Sequence, residues 1–422
     1  MFPTPPPNIP PDPVTPVPLP PAHKIAMLGA TGLATLLAAL SMLGPFSIDA
    51  YLPAFPNIQA ALHATQIEVQ QTLTAYMLAF AVMVLWHGAL ADAFGRRNVI
   101  LVSLVVFAIG TLGCASAHSV HYLWIFRIMQ GVSAGAGVVV GRAIIRDLYS
   151  DAPAARLLSL VTMIFSIAPA IAPVLGGWIV KFFDWRTIFL ALLVYTIVLT
   201  WFCYKRLPET LPKEKRQPFN PGYVAQNYWA IFSSPLFHMK AGVVSANFAG
   251  MFLYIAAAPV MLPQHLHLGP DQFAWLFIPT VSGLFLGSLA ANRMAGKSTF
   301  GRQVALGFCF MLSAAAANVL YHVLVPPAVP WSVAPMFFYT FGSALMAPAV
   351  TLLALDMFPH IRGTVASCQS FAVTLLGALV AGVIAPFLSH SVLWLASGQL
   401  AFALFSLVLW SASRRYRSRR PA

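Results

Sequence analysis

The sequence predicts an all-α membrane protein of twelve transmembrane helices, arranged in two six-helix halves around a central cavity. Three observations carry this prediction. Of the 422 residues, 59% are hydrophobic and only 8% charged, against roughly 25% charged in soluble domains, so lipid must cover most of the surface. Apolar stretches of about 20 residues, the length that crosses a bilayer as a helix, recur along the chain. Basic residues fall on alternate connecting loops, the pattern of cytoplasmic loops.

In order, the chain opens with a proline-rich tail. Its first 21 residues hold 11 of the 34 prolines and lack both an apolar core and the short basic start of a secretory signal. Residues 1–24 are expected to be a disordered, polyproline-like cytoplasmic tail. An N-terminal half over 25–206 follows, with spans at 26–50, 70–90, 99–117, 121–144, 157–180 and 186–205. Residues 207–235 are polar, basic and proline-rich (LPETLPKEKRQPFNPG at their start) and read as a cytoplasmic linker. The C-terminal half, 236–412, carries spans at 237–260, 272–292, 303–323, 331–355, 363–387 and 391–411, and a basic cytoplasmic tail, 413–422, ends the chain. Six spans on each side of the linker suggest two related halves about an axis normal to the membrane. A weak internal echo agrees: GALADAFGRR at 88–97 follows the second span, and SLAANRMAGK at 288–297 follows the eighth, with Asn292 in the place of Asp92.

The formal net charge of +13 reflects topology rather than a nucleic-acid partner. Arg96 and Arg97, Arg146 and Arg156, the cluster at 205–216, Arg293 to Arg302, Arg362 and the segment 414–420 lie on one set of loops. The opposite set holds only Glu68, Lys181, Asp184, Arg186 and Asp271 as charges. Both termini are therefore expected inside. No nucleophile–base pair, metal-ligand set or nucleotide motif stands out, so neither an enzyme nor a cofactor is expected. AGKST at 295–299 has Ala291 where a phosphate loop needs glycine, and no strand precedes it. His265 and His267 lack a third metal ligand, and His87 reads as a packed neutral histidine. Cys114, Cys203, Cys309 and Cys368 sit singly in apolar surroundings and read as buried structural thiols.

Four local patterns carry chemistry. Between the second and third spans, Gly88 and Gly95 permit a tight turn, Asp92 can sit against a helix N-terminus and arginines, and Arg96 and Arg97 anchor the inner face. In the fourth span, Arg127 of the run Arg127-Ile128-Met129-Gln130-Gly131 lies inside the bilayer. A guanidinium there costs about 2.5 kcal/mol or more, so it is expected to face a hydrated cavity or a carboxylate. In the fifth span, Pro169 and Pro173 remove backbone donors while Gly176 and Gly177 allow close approach, which makes a bendable interface helix. In the first, the run LGPFSIDAYLPAFP at 43–56 carries Asp49, the acid placed within a span away from its cytoplasmic end.

From about residue 25 to 415, these patterns resemble the major facilitator superfamily of secondary transporters. The fifth-span pattern resembles the superfamily's exporter motif, with Ala172 in place of a glycine. The run at 43–56 is similar to the Bcr/CflA branch of drug/proton antiporters, as are LPETL at 207–211 and the segment 358–364. The resemblance implies proton-coupled efflux of drugs or other small amphipathic molecules by alternating access across a bacterial inner membrane. The implied partners are protons, a small-molecule substrate and the lipid bilayer, with no nucleic acid and no cofactor, and the implied functional unit is a monomer. A nutrient or metabolite facilitator or proton symporter is the alternative, for which more polar or cationic residues within the spans would be expected.

Desolvation disfavours a carboxylate in a low-dielectric cavity and a nearby cation favours it, so such a group can exchange a proton. Asp49 and Arg127, placed at matching depths, are expected to interact and to carry proton coupling. Gly88, Asp92, Gly95, Arg96, Arg97, Pro169, Pro173, Gly176 and Gly177 are the expected gating residues. Tyr51, Tyr76, Asn247, Phe248, Met251, Tyr254 and Phe371 are expected to line the cavity, because polar or aromatic residues interrupt aliphatic runs there.

Overall fold

The computed structural model describes residues 22–149, 151–216 and 218–418. All but the last three positions of the expected tail 1–24, and the last four of the basic tail, lie outside them. Among the described residues the regular elements are helical, and twelve are long and apolar enough to cross a membrane: Thr31–Leu62, Gln66–Phe94, Arg96–Ala115, Val120–Leu148, Arg156–Phe182, Arg186–Arg206, Pro235–His265, Pro270–Met294, Phe300–Leu324, Ala334–Leu355, Arg362–Leu388 and Val392–Tyr416. The expected spans fall on these twelve in order, and the differences lie at their ends.

Those ends follow from local chemistry. The second span begins at a capping box, in which Thr65 Oγ1 accepts from the Glu68 N–H (3.2 Å) and Glu68 Oε2 accepts from the Thr65 N–H (2.7 Å). It stops at Gly95, whose φ of +96° most side chains would resist. The first span is interrupted: one helix ends at Asp49, a 3-10 turn covers Leu52–Ala54, and a second helix covers Phe55–Leu62. Pro53 and Pro56 lack the N–H groups that a continuous helix would use there. The fifth span breaks between Phe165 and Ala168, just ahead of Pro169. The last helix outruns its apolar stretch and continues through the basic segment to Ser418.

Packing repeats between the halves. The second span packs on the fourth as the eighth does on the tenth, the third on the sixth as the ninth on the twelfth, and the first on the fifth as the seventh on the eleventh. Across the halves, the second span meets the eleventh and the fifth meets the eighth.

The linker is not extended throughout. Residues Pro221–Phe232 form a helix that touches both halves: the Tyr228 hydroxyl donates to the Leu85 carbonyl of the second span, while Ile231 shares a buried cluster with Val365 and Cys368 of the eleventh. Just before this helix, Phe219 packs on Trp86 and Phe94, with ring centroids 6.1 and 6.4 Å apart.

Between the halves lies a cavity of about 1060 Å³. Its wall runs from Gly44, Pro45 and Tyr76 at the floor to Asp92, Arg96 and Arg362 at the face that carries the Gly88–Arg97 turn, called here the basic face. At the opposite face the halves touch. Gln70 Nε2 donates to the Ala256 carbonyl (3.2 Å), Gln71 Nε2 to the Gly382 carbonyl (2.8 Å), and Lys181 Nζ to Asp271 Oδ2 (2.8 Å).

Candidate functional site

At the cavity floor the most unusual group is Arg127, whose side chain is fully buried. The helix that ends at Asp49 leaves its last carbonyls without intrahelical donors, and Arg127 Nη1 donates to one of them, Ser47 O (3.0 Å), as well as to Gln130 Oε1 (2.9 Å). A cation belongs at that negative end of a helix. The guanidinium carbon lies 4.7 Å from the Tyr51 ring centroid and 4.4 Å from that of Tyr76, one aromatic face on each. Both rings are fixed in turn: Tyr51 OH pairs with Thr72 Oγ1 (2.8 Å), and Ser47 Oγ donates to Tyr76 OH (2.9 Å). Gln130 is oriented by donating from Nε2 to Thr111 Oγ1 (2.8 Å). Nε and Nη2 of Arg127 have no hydrogen-bond partner among the described residues.

Asp49 lies two residues beyond Ser47 and is 6% exposed. Among the described residues it makes no hydrogen bond or ion pair. The expected direct interaction with Arg127 is therefore not present in this conformation: the Arg127 hydrogen bonds run from Nη1 to the Ser47 carbonyl and Gln130. Nor is Asp49 a solvated helix-end acid, since its side chain is buried.

At the basic face, the motif residues converge on the start of the third span. Arg96 pairs with Asp92 on one side and donates from Nε to Asp147 Oδ2 on the other (3.2 Å), and Thr210 Oγ1 donates to the same carboxylate oxygen (2.7 Å). Glu209 Oε1 accepts from the backbone N–H of Arg96 (2.9 Å), a carboxylate seated on a helix N-terminus, and Arg216 pairs with Glu209 at 3.5 Å. Arg97 donates to the Tyr204 carbonyl (2.8 Å). Gly88 lies on the cavity wall. Sequence reasoning missed Glu209 as a member of this cluster, although an acid inside a basic segment was a signal for it.

At the opposite face, Gly176 and Gly177 bring backbones together. A Cβ at Gly176 would strike the Ala50 carbonyl, next to Asp49, and one at Gly177 would strike the Pro270 carbonyl of the other half. Pro169 starts the helix Ala168–Phe182 and Pro173 lies inside it.

Of the seven expected cavity residues, Tyr76 and Phe248 lie on the wall. The other five lie off it. Tyr51 is held under Arg127; Asn247 donates to Met346 Sδ (3.4 Å); Met251 is buried; Tyr254 OH accepts from Asn318 Nδ2 (2.6 Å); and Phe371 packs edge-on against Phe232 (5.9 Å). Met77, Phe80, Phe252, Gln369 and the linker's Asn227 and Tyr228 line the cavity and were missed. Of the four cysteines expected to be buried, Cys309 is exposed, on a helix surface that lipid would cover. His265 Nε2 lies 2.8 Å from the Ser389 carbonyl.

The sequence profile described as Major Facilitator Superfamily matches residues 37–381. The chain is 30% identical to the uncharacterized MFS-type transporter YdgK of Bacillus subtilis over 358 residues, 83% of this chain and 88% of that protein. It is 28% identical to the bicyclomycin resistance protein homolog of Haemophilus influenzae, over 83% of this chain and 87% of the relative. It is also 28% identical to multidrug resistance protein D of Escherichia coli, over 79% and 83%. Among solved structures, a bacterial homologue of the human lysosomal transporter Spinster, inward-facing and unoccupied, superposes with a TM-score of 0.68 at 17% identity, over 93% of this chain and 98% of that one. A D-xylose-proton symporter superposes with a TM-score of 0.66 at 15% identity, over 88% and 96%. These two likenesses concern the fold.

Proposed function

The chain belongs to the major facilitator superfamily, and on that premise we propose that it exports small amphipathic molecules, drugs among them, in exchange for protons. Relatives named for bicyclomycin and multidrug resistance support the substrate class. The observation that carries the coupling is Asp49: a buried acid with no partner among the described residues, one residue past Ile48 on the wall of a cavity whose halves touch at the opposite face.

The basic face is cytoplasmic, with both termini on that side, and the membrane is the bacterial inner membrane. The protein acts as a monomer whose halves, 25–206 and 236–412, rock about the cavity while the linker 207–235 stays cytoplasmic. In this inward-open conformation Asp49 holds a proton, because the neutral carboxyl is the cheaper form to bury without a partner and the helix end beside it disfavours an anion. Substrate entering from the cytoplasm packs against Tyr76 and Phe248 and drives the proton off. The carboxylate then turns to the Nε and Nη2 donors of Arg127. Opening of the opposite face parts Lys181 from Asp271 and the Gly177 backbone from Pro270, releases substrate and reloads Asp49. Each proton moved inward brings about 2.3 kcal/mol per 100 mV of membrane potential.

The test uses inverted, ATP-depleted membrane vesicles with an imposed acid-inside gradient. Accumulation of a hydrophobic antibiotic that collapses with a protonophore is expected. Accumulation that needs ATP, or that ignores the gradient, contradicts the reading.

A further inference from the structure

The cavity wall carries six charged side chains: Asp92, Arg96, Arg142, Arg146, Asp147 and Arg362. Both acids pair with Arg96, and Arg362 pairs with Asp356 off the wall (2.8 Å). Arg142 and Arg146 remain. Among the described residues neither makes a hydrogen bond or ion pair, and both are exposed into the cavity.

The placement of Arg142 is not that of an ordinary topology signal, whereas Arg146 lies in the last turn of its helix. A basic residue needed only for orientation sits at a helix end in bulk water. Arg142 lies in the helix Ala136–Leu148, about 9 Å inside its end at the rise of an α-helix, beside Val138, Val139 and Ala143 on the wall. Arg146 is one turn further out on the same face. Two like charges one turn apart repel, and a cleft with apolar walls concentrates their field. Deeper in, Met77, Phe80, Phe248 and Phe252 supply an apolar floor, and across the cavity Gln369 donates to Thr351 Oγ1 (3.0 Å) on a wall without free charge.

We propose that Arg142 and Arg146 form an anion subsite and that the exported class is organic acids, with an apolar or aromatic body and one carboxylate, sulfonate or phosphate head. This inference rests on the export reading of the cavity. The body occupies the aromatic floor while the head takes charge-assisted hydrogen bonds from the two guanidinium groups. A hydrophobic cation in the same place meets two unneutralised arginines and no free carboxylate on the wall.

The test measures equilibrium binding of three matched probes to the purified full-length protein at neutral pH without any gradient: 4-phenylbutyrate, 4-phenylbutyramide and 4-phenylbutylamine. The carboxylate is expected to bind about tenfold more tightly than the amide, and the amine more weakly than either. In Arg142→Gln/Arg146→Gln the carboxylate-to-amide ratio falls to near one, while Arg142→Lys/Arg146→Lys keeps most of it. Equal or tighter binding of the amine by wild type overturns the proposal, as does an unchanged ratio in the glutamine variant. If that variant does not fold, the wild-type ratio still decides. Failure here leaves the export reading standing, since that is judged by gradient-driven accumulation in vesicles; loss of gradient-driven accumulation for every compound sinks the export reading itself.

Discussion

Arg127 holds its charge in the protein interior without an acidic partner among the described residues. Two hydrogen bonds from Nη1 and two aromatic faces replace the water it has lost. A planar fork suits this site and a point charge does not. Arg127→Lys is therefore expected to abolish gradient-driven transport and to lower stability by about 1.5–3 kcal/mol, the worth of a charge-assisted hydrogen bond, measured by thermal unfolding in detergent. Wild-type transport by the lysine variant contradicts the role assigned to the fork. Arg127 and Asp49 were legible in the sequence because a charge inside an apolar span is costly and hence conspicuous. Their lack of contact was not legible, nor was the closing of the Tyr51 and Tyr76 rings around the guanidinium: nothing in a one-dimensional pattern says which side chain turns inward.

Among the elements, the turn between the second and third spans is the most constrained. Gly95 combines a φ of +96° with a Cβ direction that points at Glu209 and Arg216. Gly95→Ala is expected to cost about 1–3 kcal/mol in backbone strain alone and to displace the Glu209 carboxylate from the third-span N-terminus, which a lowered unfolding temperature reports. Stability equal to wild type contradicts the packing described. The existence and order of the spans were legible because each is a long apolar run. Their facing was not, for a helix that is hydrophobic all round gives no moment from which to read a buried side. That is why Asn247, Met251 and Tyr254, all in the seventh span, were expected on the cavity and lie in the core of their half. The linker helix Pro221–Phe232 escaped notice because a short helix that packs on two membrane halves needs neither a full apolar run nor strong amphipathic spacing.

For the whole molecule, alternating access requires the face opposite the basic one to open. The Lys181–Asp271 pair joins the halves there, beside Gly177, whose backbone touches the other half. Bridging Lys181→Cys to Asp271→Cys with a short bifunctional reagent is expected to stop transport, and cleaving the bridge to restore it; transport that continues through an intact bridge contradicts the rocking motion. The six-plus-six division was legible from one polar break and a faint echo, and the packing of equivalent span pairs gives it a structural counterpart. The central claim is that Asp49 exchanges its proton for substrate, and substrate-triggered proton release from protein in proteoliposomes tests it most directly. Wild type should release protons when substrate is added, and Asp49→Asn should bind the same substrate without release. Proton release by Asp49→Asn at the wild-type level would contradict the claim.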